Sequence, residues 1–133
     1  RGREYIHLSQ TFVRELESSD YLEVDPQSKQ SDTLKSIRSK QMTEAYVADS
    51  NGTFLGKLSL LDLEDSDDPV SLVMDKNPVT LHPDNSLTES LEIASNFVGE
   101  SIPIVNDGNI RGALTEGDLF AQVLKIQDKL RTE

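Results

Sequence analysis

Gly112-Ala113-Leu114-Thr115-Glu116-Gly117-Asp118 repeats a pattern that the chain has already used at Gly56-Lys57-Leu58-Ser59-Leu60-Leu61-Asp62, namely Gly-x-x-[Ser/Thr]-x-x-Asp. Each copy follows a turn and a short apolar run. Asp49-Ser50-Asn51-Gly52 precedes Thr53-Phe54-Leu55, and Asn106-Asp107-Gly108-Asn109 precedes Ile110. That order reads as a hairpin turn, its second strand and the start of a helix. A hydroxyl followed three positions later by a carboxylate has the spacing of a capping box, in which the hydroxyl accepts a first-turn N–H and the acid reaches back. The same helix start offers unpaired N–H groups and a positive dipole end to any anion, so Ser59 and Thr115 also stand where a phosphate would be held. One turn on, Asp62 and Asp118 stand where a carboxylate accepts from a ribose diol, as in dinucleotide folds.

Outward from these two stretches the chain divides into two similar halves. In the first, Tyr21-Leu22-Glu23-Val24 alternates like a short strand and stops at Asp25-Pro26, since proline has no ladder N–H. Ser31 or Asp32 is placed to cap a helix carrying Leu34, Ile37 and Met42. Ala45-Tyr46-Val47-Ala48 is the next strand, Thr53 to Ser59 pairs back on it, and a helix is expected from Leu60. The second half repeats the order with Val79-Thr80-Leu81, a helix from near Ser86 carrying Leu87, Leu91, Ala94 and Phe97, the strand Ile102 to Val105, the strand Ile110 to Leu114, and a helix to about Leu130. Pro26 and Pro83, Leu34 and Leu91, and Val47 and Ile104 are each 57 positions apart, whereas Gly56 and Gly112 are 56 apart. One residue is missing from the second turn, where length varies most easily. The expected fold class is α+β, two β-α-β-β-α repeats related by a pseudo-two-fold axis.

Before the first repeat, Leu8, Phe12 and Leu16 recur every fourth position, flanked by Tyr5 and Val13, which predicts an amphipathic helix of about three turns over Tyr5 to Leu16. The expected segments are 1–19 as a linker helix, 20–68 as the first repeat and 69–133 as the second.

Composition excludes several function classes. The chain has 133 residues, 35% of them hydrophobic, enough for a folded interior. Its net charge of −11 opposes binding to nucleic acid and to anionic lipid, which both need clustered Lys and Arg. Without cysteine it has no disulfide, thiolate nucleophile or Cys-based zinc site. No apolar run approaches the roughly 20 residues that span a bilayer, and no signal peptide opens the chain. The opening Arg1-Gly2-Arg3-Glu4, with no initiator Met, points to a segment of something longer.

Taken together, the unit order, the Ser101-Ile102-Pro103-Ile104-Val105-Asn106-Asp107-Gly108 stretch and both Gly-x-x-[Ser/Thr]-x-x-Asp segments resemble a tandem cystathionine β-synthase (CBS) domain pair over about Tyr21 to Leu130. The resemblance implies a non-catalytic regulatory module with two clefts for adenine nucleotides: AMP, ADP or ATP. It nominates Thr80, Ile102, Pro103, Thr115 and Asp118 for one cleft, and Ala45, Tyr46, Ser59 and Asp62, with Val24, for the other. In each, the Ser/Thr would contact phosphate, the Asp would take ribose hydroxyls, and strand backbone would face the base. The copies differ, since Tyr46 stands where the second copy has Pro103 and the first motif runs into the acidic Glu64-Asp65-Ser66-Asp67-Asp68. The second cleft is the stronger candidate. The opening residues, the helix after them and the repeat pair are also similar to the region following the last membrane helix of chloride channels and transporters, which implies a cytoplasmic location at the membrane face.

Other chemistry finds little support in the residues. His82 precedes a proline in a turn, and neither it nor His7 completes a catalytic or metal-binding set. No metal is expected. The acidic run lacks the glycine and terminal glutamate of an EF-hand loop and reads as solvated charge. Lys57 and Arg111 flank the motif glycines and are candidates to neutralise phosphate. Two alternatives stay open beside the nucleotide module: a divalent-cation (magnesium) sensor and a purely structural dimerisation domain. Homodimerisation through helices is expected because Leu119, Val123, Ile126 and Leu130 form one stripe of the last helix and Phe120 and Leu124 an adjoining one, with Ile93 and Phe97 placed to extend the patch.

Overall fold

The 57-residue offset reappears as a set of matching backbone hydrogen bonds. In the computed structural model, which describes residues 2–132, Val24 pairs in parallel with Val47, and Leu81 pairs in parallel with Ile104. Both partners of the second pair are shifted by 57 from those of the first. Arg1 and Glu133, and the side chain of Tyr5 expected on the first helix, lie outside the described residues.

The chain forms two compact units, each discontinuous in sequence. Unit 1 is residues 1–19, 79–106 and 111–133; unit 2 is 20–78 with 107–110. Set beside the expected segments 1–19, 20–68 and 69–133, the units divide at 19/20 and again at 78/79.

Unit 2 contains a three-stranded sheet, β1 (Glu23–Val24), β2 (Glu44–Ala48) and β3 (Phe54–Ser59), with β1 parallel and β3 antiparallel to β2. Its helix α2 (Gln30–Ser39) places Leu34 and Ile37 against Ala45 and Val47, the period-2 inward face of β2, and against Leu58 on β3. Met42 lies past the helix end and packs on the same core. Neither Ser31 nor Asp32 caps α2. The N-cap is Lys29, which makes no side-chain cap bond, because the carbonyls of Asp68 and Ser66 accept from Gln30 N–H and Ser31 N–H at 3.0 and 2.9 Å. Main chain from the acidic run thus satisfies the helix start and sets negative charge beside its positive dipole end.

The helix expected from Leu60 is reduced to a 3-10 turn over Leu60–Asp62. Leu60 N–H is drawn to Thr43 O at 2.8 Å, Glu64 N–H to Gln30 Oε1 at 3.1 Å, and the chain must reach Pro69 in time to bridge Lys29. Those ties leave no room for i→i+4 bonds.

Unit 1 contains α1 (Gly2–Gln10), α3 (Leu87–Ile93), the β4 (Ser101–Asn106) and β5 (Asn109–Thr115) hairpin and α4 (Glu116–Thr132). Leu81, Leu87, Ile102, Ile104, Leu114, Leu119 and Ile126 form its core, and α1 packs on α3 and α4. The expected strand Val79 to Leu81 is a single bridge at Leu81. In unit 2, Tyr46 N–H donates to Leu22 O at 2.8 Å; the counterpart 57 positions on is Pro103, which has no N–H to give. The expected helix Tyr5 to Leu16 ends at Gln10. Phe12 then bridges Ser86 and a 3-10 turn covers Val13–Glu15. Leu8, Val13 and Leu16 still reach the core, since the spacing suits either geometry.

That segment belongs to the repeat. Val13 N–H to Asn85 O matches Val70 N–H to Ser28 O, both 2.9 Å, and Arg14 N–H to Pro83 O matches Ser71 N–H to Pro26 O. Ser18 exchanges two bonds with Ala113, as Asp75 does with Lys57. Each unit therefore takes a strap, 11–18 or 68–75, from the chain ahead of the other unit's repeat body. The straps explain the motif glycines. A Cβ on Gly56 would lie 2.6 Å from Asp75 O, and one on Gly112 would lie 3.1 Å from Glu17 Cβ and 3.2 Å from Ser18 O. At Gly56 only glycine admits so close a crossing of backbones, and at Gly112 a methyl would require the strap to give slightly.

Candidate functional site

In unit 1 the second motif closes β5 and opens α4. Thr115 Oγ1 accepts from Asp118 N–H at 2.9 Å, so the hydroxyl caps the helix and consumes one of the first-turn N–H groups expected to meet an anion. Asp118 itself is exposed. It lines a groove of about 570 Å³ whose opposite wall is the strap, Leu16 to Ser19, and whose floor continues along α4 through Gln122 to Lys125. That volume is of the size that small-molecule sites occupy. Pro103 is fully buried, Ile102 belongs to the core, and Thr80 is exposed beside the Leu81 bridge. Ile102 can reach a ligand only through its backbone.

In unit 2 the first motif is differently arranged. Ser59 Oγ accepts from Leu61 N–H at 3.3 Å, a longer bond at the head of a one-turn helix, and Asp62 is exposed. Ala45 and Val24 face the core. Tyr46, only 1% exposed, stacks on Tyr21 with ring centroids 5.0 Å apart and meets Phe54 edge-on at 6.1 Å. An aromatic cluster fills the position that Pro103 holds in unit 1. Lys57, a candidate phosphate partner, points to Glu44 instead, Nζ to Oε1 at 3.0 Å. Arg111 is exposed on β5.

His82 has a structural place. Its Nδ1 accepts from Asp84 N–H at 3.0 Å, which leaves the Nε2 proton for Asn106 Oδ1, also at 3.0 Å. Among the described residues no cluster of three or more His, Cys, Asp or Glu is arranged to hold a metal ion, and no helix is long and apolar enough to cross a membrane.

Of the nominated residues only Asp118 lines this groove, Thr80, Ile102, Pro103 and Thr115 lying outside its lining; Glu17, Ser18, Ser19, Gln122 and Lys125, which do line it, were not nominated. Gln122 and Lys125 carry a signal, since positions i+4 and i+7 from Asp118 share its helix face. The strap residues share no local spacing with Asp118, because a non-local bridge brings them there.

Comparison with known proteins agrees with this architecture. Residues 70–125 match the family model of the CBS domain. The CBS-pair protein CBSX2 from Arabidopsis thaliana superposes with a TM-score of 0.80 at 21% identity, covering 89% of this chain and 97% of that one. A structure of CBSX2 in complex with AMP gives 0.78 at 22%, covering 88% and 98%. The soluble part of a magnesium transporter gives 0.78 at 14%, covering 92% of this chain and 51% of that one. The fold is thus the mixed α+β fold of a CBS domain pair. In sequence, the chain is 28% identical over 133 residues to the A-adding tRNA nucleotidyltransferase of Aquifex aeolicus; the match takes in 96% of this chain and 16% of that protein's length.

Proposed function

We propose that the chain is a non-catalytic regulatory module that binds an adenine nucleotide in unit 1 and passes its occupancy to an attached protein. The observation that carries this reading is the position of Asp118, at the head of α4 and on the wall of a ligand-sized groove. The second repeat's Thr115 and Asp118 keep the geometry of an intact helix start, whereas the first repeat's motif ends in a one-turn helix beside an acidic run. Regulation requires that ligand bind one arrangement of the module better than another. Calorimetry with AMP, ADP and ATP, each with and without magnesium, tests the proposal. Binding that Asp118→Ala weakens supports it; heat from magnesium alone favours the cation sensor, and silence throughout favours a structural dimerisation domain.

For the longer protein, the chloride-transporter parent rests on Arg1 to Glu4 and the helix that follows. The match along nearly the whole chain to a tRNA nucleotidyltransferase supports a second parent, in which the module is attached to a nucleotide-transferring enzyme. Sequence flanking this segment decides between them, because a transporter brings several apolar spans of about 20 residues.

A further inference from the structure

We propose that the unit 1 groove selects an adenosine carrying a single phosphate over a polyphosphate, and that Lys125 holds that phosphate; this rests on the nucleotide reading of the groove given above. At the motif itself, Asp118 N–H is already taken by Thr115 Oγ1, which weakens the helix start as a phosphate seat. The face of α4 that carries Asp118 continues through Gln122 to Lys125, and all three line the groove. Seven residues along a helix advance about 10 Å. A ribose held at Asp118 with its 5′ carbon toward Gln122 would bring the phosphate within reach of the Lys125 side chain.

The charges lining the groove set the limit on phosphate number. Lys125 is its one basic side chain among the described residues, and it shares the lining with two carboxylates, Glu17 and Asp118. A single phosphate, at about −2 near neutral pH, already exceeds what one ammonium neutralises. Each added phosphate brings charge that no second cation meets, in a protein whose net charge is already −11.

Calorimetry on the whole chain with adenosine, AMP and ATP, for the native protein, Lys125→Ala and Lys125→Arg, tests the assignment. Lys125 is exposed on α4, so equal melting temperatures are expected for the three proteins. The native chain should bind AMP about tenfold more tightly than adenosine, and ATP no more tightly than AMP. Lys125→Ala should erase the AMP advantage while leaving adenosine within twofold, and Lys125→Arg should keep it. An AMP-to-adenosine ratio unchanged by Lys125→Ala, or ATP binding tenfold tighter than AMP, overturns the assignment and leaves the nucleotide reading standing. Failure of all three compounds to bind overturns both.

Discussion

Lys57 Nζ lies 3.0 Å from Glu44 Oε1, with only 9% and 12% of the two side chains exposed. The pair is built diagonally across β2 and β3, since Glu44 is opposite Ser59 and Lys57 is opposite Tyr46. A buried pair is costly to break because the survivor is an uncompensated charge. Lys57→Ala or Glu44→Ala alone should cost about 3–5 kcal/mol in denaturant unfolding, whereas Glu44→Leu with Lys57→Met should be close to neutral. Equal, small losses in all three variants would show that the two charges are solvated.

Gly56→Ala should destabilise unit 2 by about 1–3 kcal/mol, because the new methyl meets a backbone oxygen that cannot turn aside. Gly112→Ala should cost less, its contacts being at 3.1 Å and beyond. Hydrogen exchange locates the damage. Asp75 N–H should lose protection in the first variant and Ser18 N–H in the second.

Thr115 and Asp118 should separate in their effects. Thr115→Ala removes a helix cap and should lower stability by about 1 kcal/mol. Asp118→Ala should weaken adenine-nucleotide binding by about 1.5–3 kcal/mol, ten- to a hundredfold. Unchanged affinity in that variant would remove the ribose role from Asp118.

The acidic run should respond weakly to magnesium. Its main-chain carbonyls at Ser66 and Asp68 are engaged at the start of α2, and its carboxylates form no metal cluster among the described residues. Millimolar magnesium should leave the melting temperature unchanged. A rise that Asp65→Asn with Asp67→Asn abolishes would instead favour the cation sensor.

We also propose self-association through α4. Leu119 and Ile126 turn into the core of unit 1, while Phe120 and Leu124 remain 65% and 44% exposed. Leu8 and Leu16 pack on that core without covering the two, so a second copy is the occupant that the apolar stripe invites. Light scattering at tens of micromolar should show a dimer that Phe120→Glu dissociates. A native monomer that dimerises on removal of residues 1–10 would place the N-terminal helix over the stripe instead.

Much of the fold was legible because a constant offset is a long-range signal written in local residues. Val47 and Ile104, or Leu34 and Leu91, need no structure to be matched. The straps escaped because the i+4 spacing of Leu8, Phe12 and Leu16 is equally that of a helix, and only a non-local bridge to Ser86 decides against it. The shift of 57 would have revealed them, since it carries Val13 to Val70 and Leu16 to Val73, all apolar. The candidate groove was half legible for the same reason. Asp118, Gln122 and Lys125 follow helical spacing, but Tyr46's ring cluster and the Lys57–Glu44 pair depend on which sheet face each side chain takes.

The exchanged straps set an order of events during synthesis. The strap at 11–18 is made before its partners Asn85, Ser86 and Ala113, so it stays unpaired until they have been synthesised. Unit 2's main body closes as soon as residue 75 emerges. A fragment cut at 68/69 therefore gives each half the wrong strap, whereas 20–78 carries its own and lacks only 107–110 of unit 2, so it is the piece expected to fold alone.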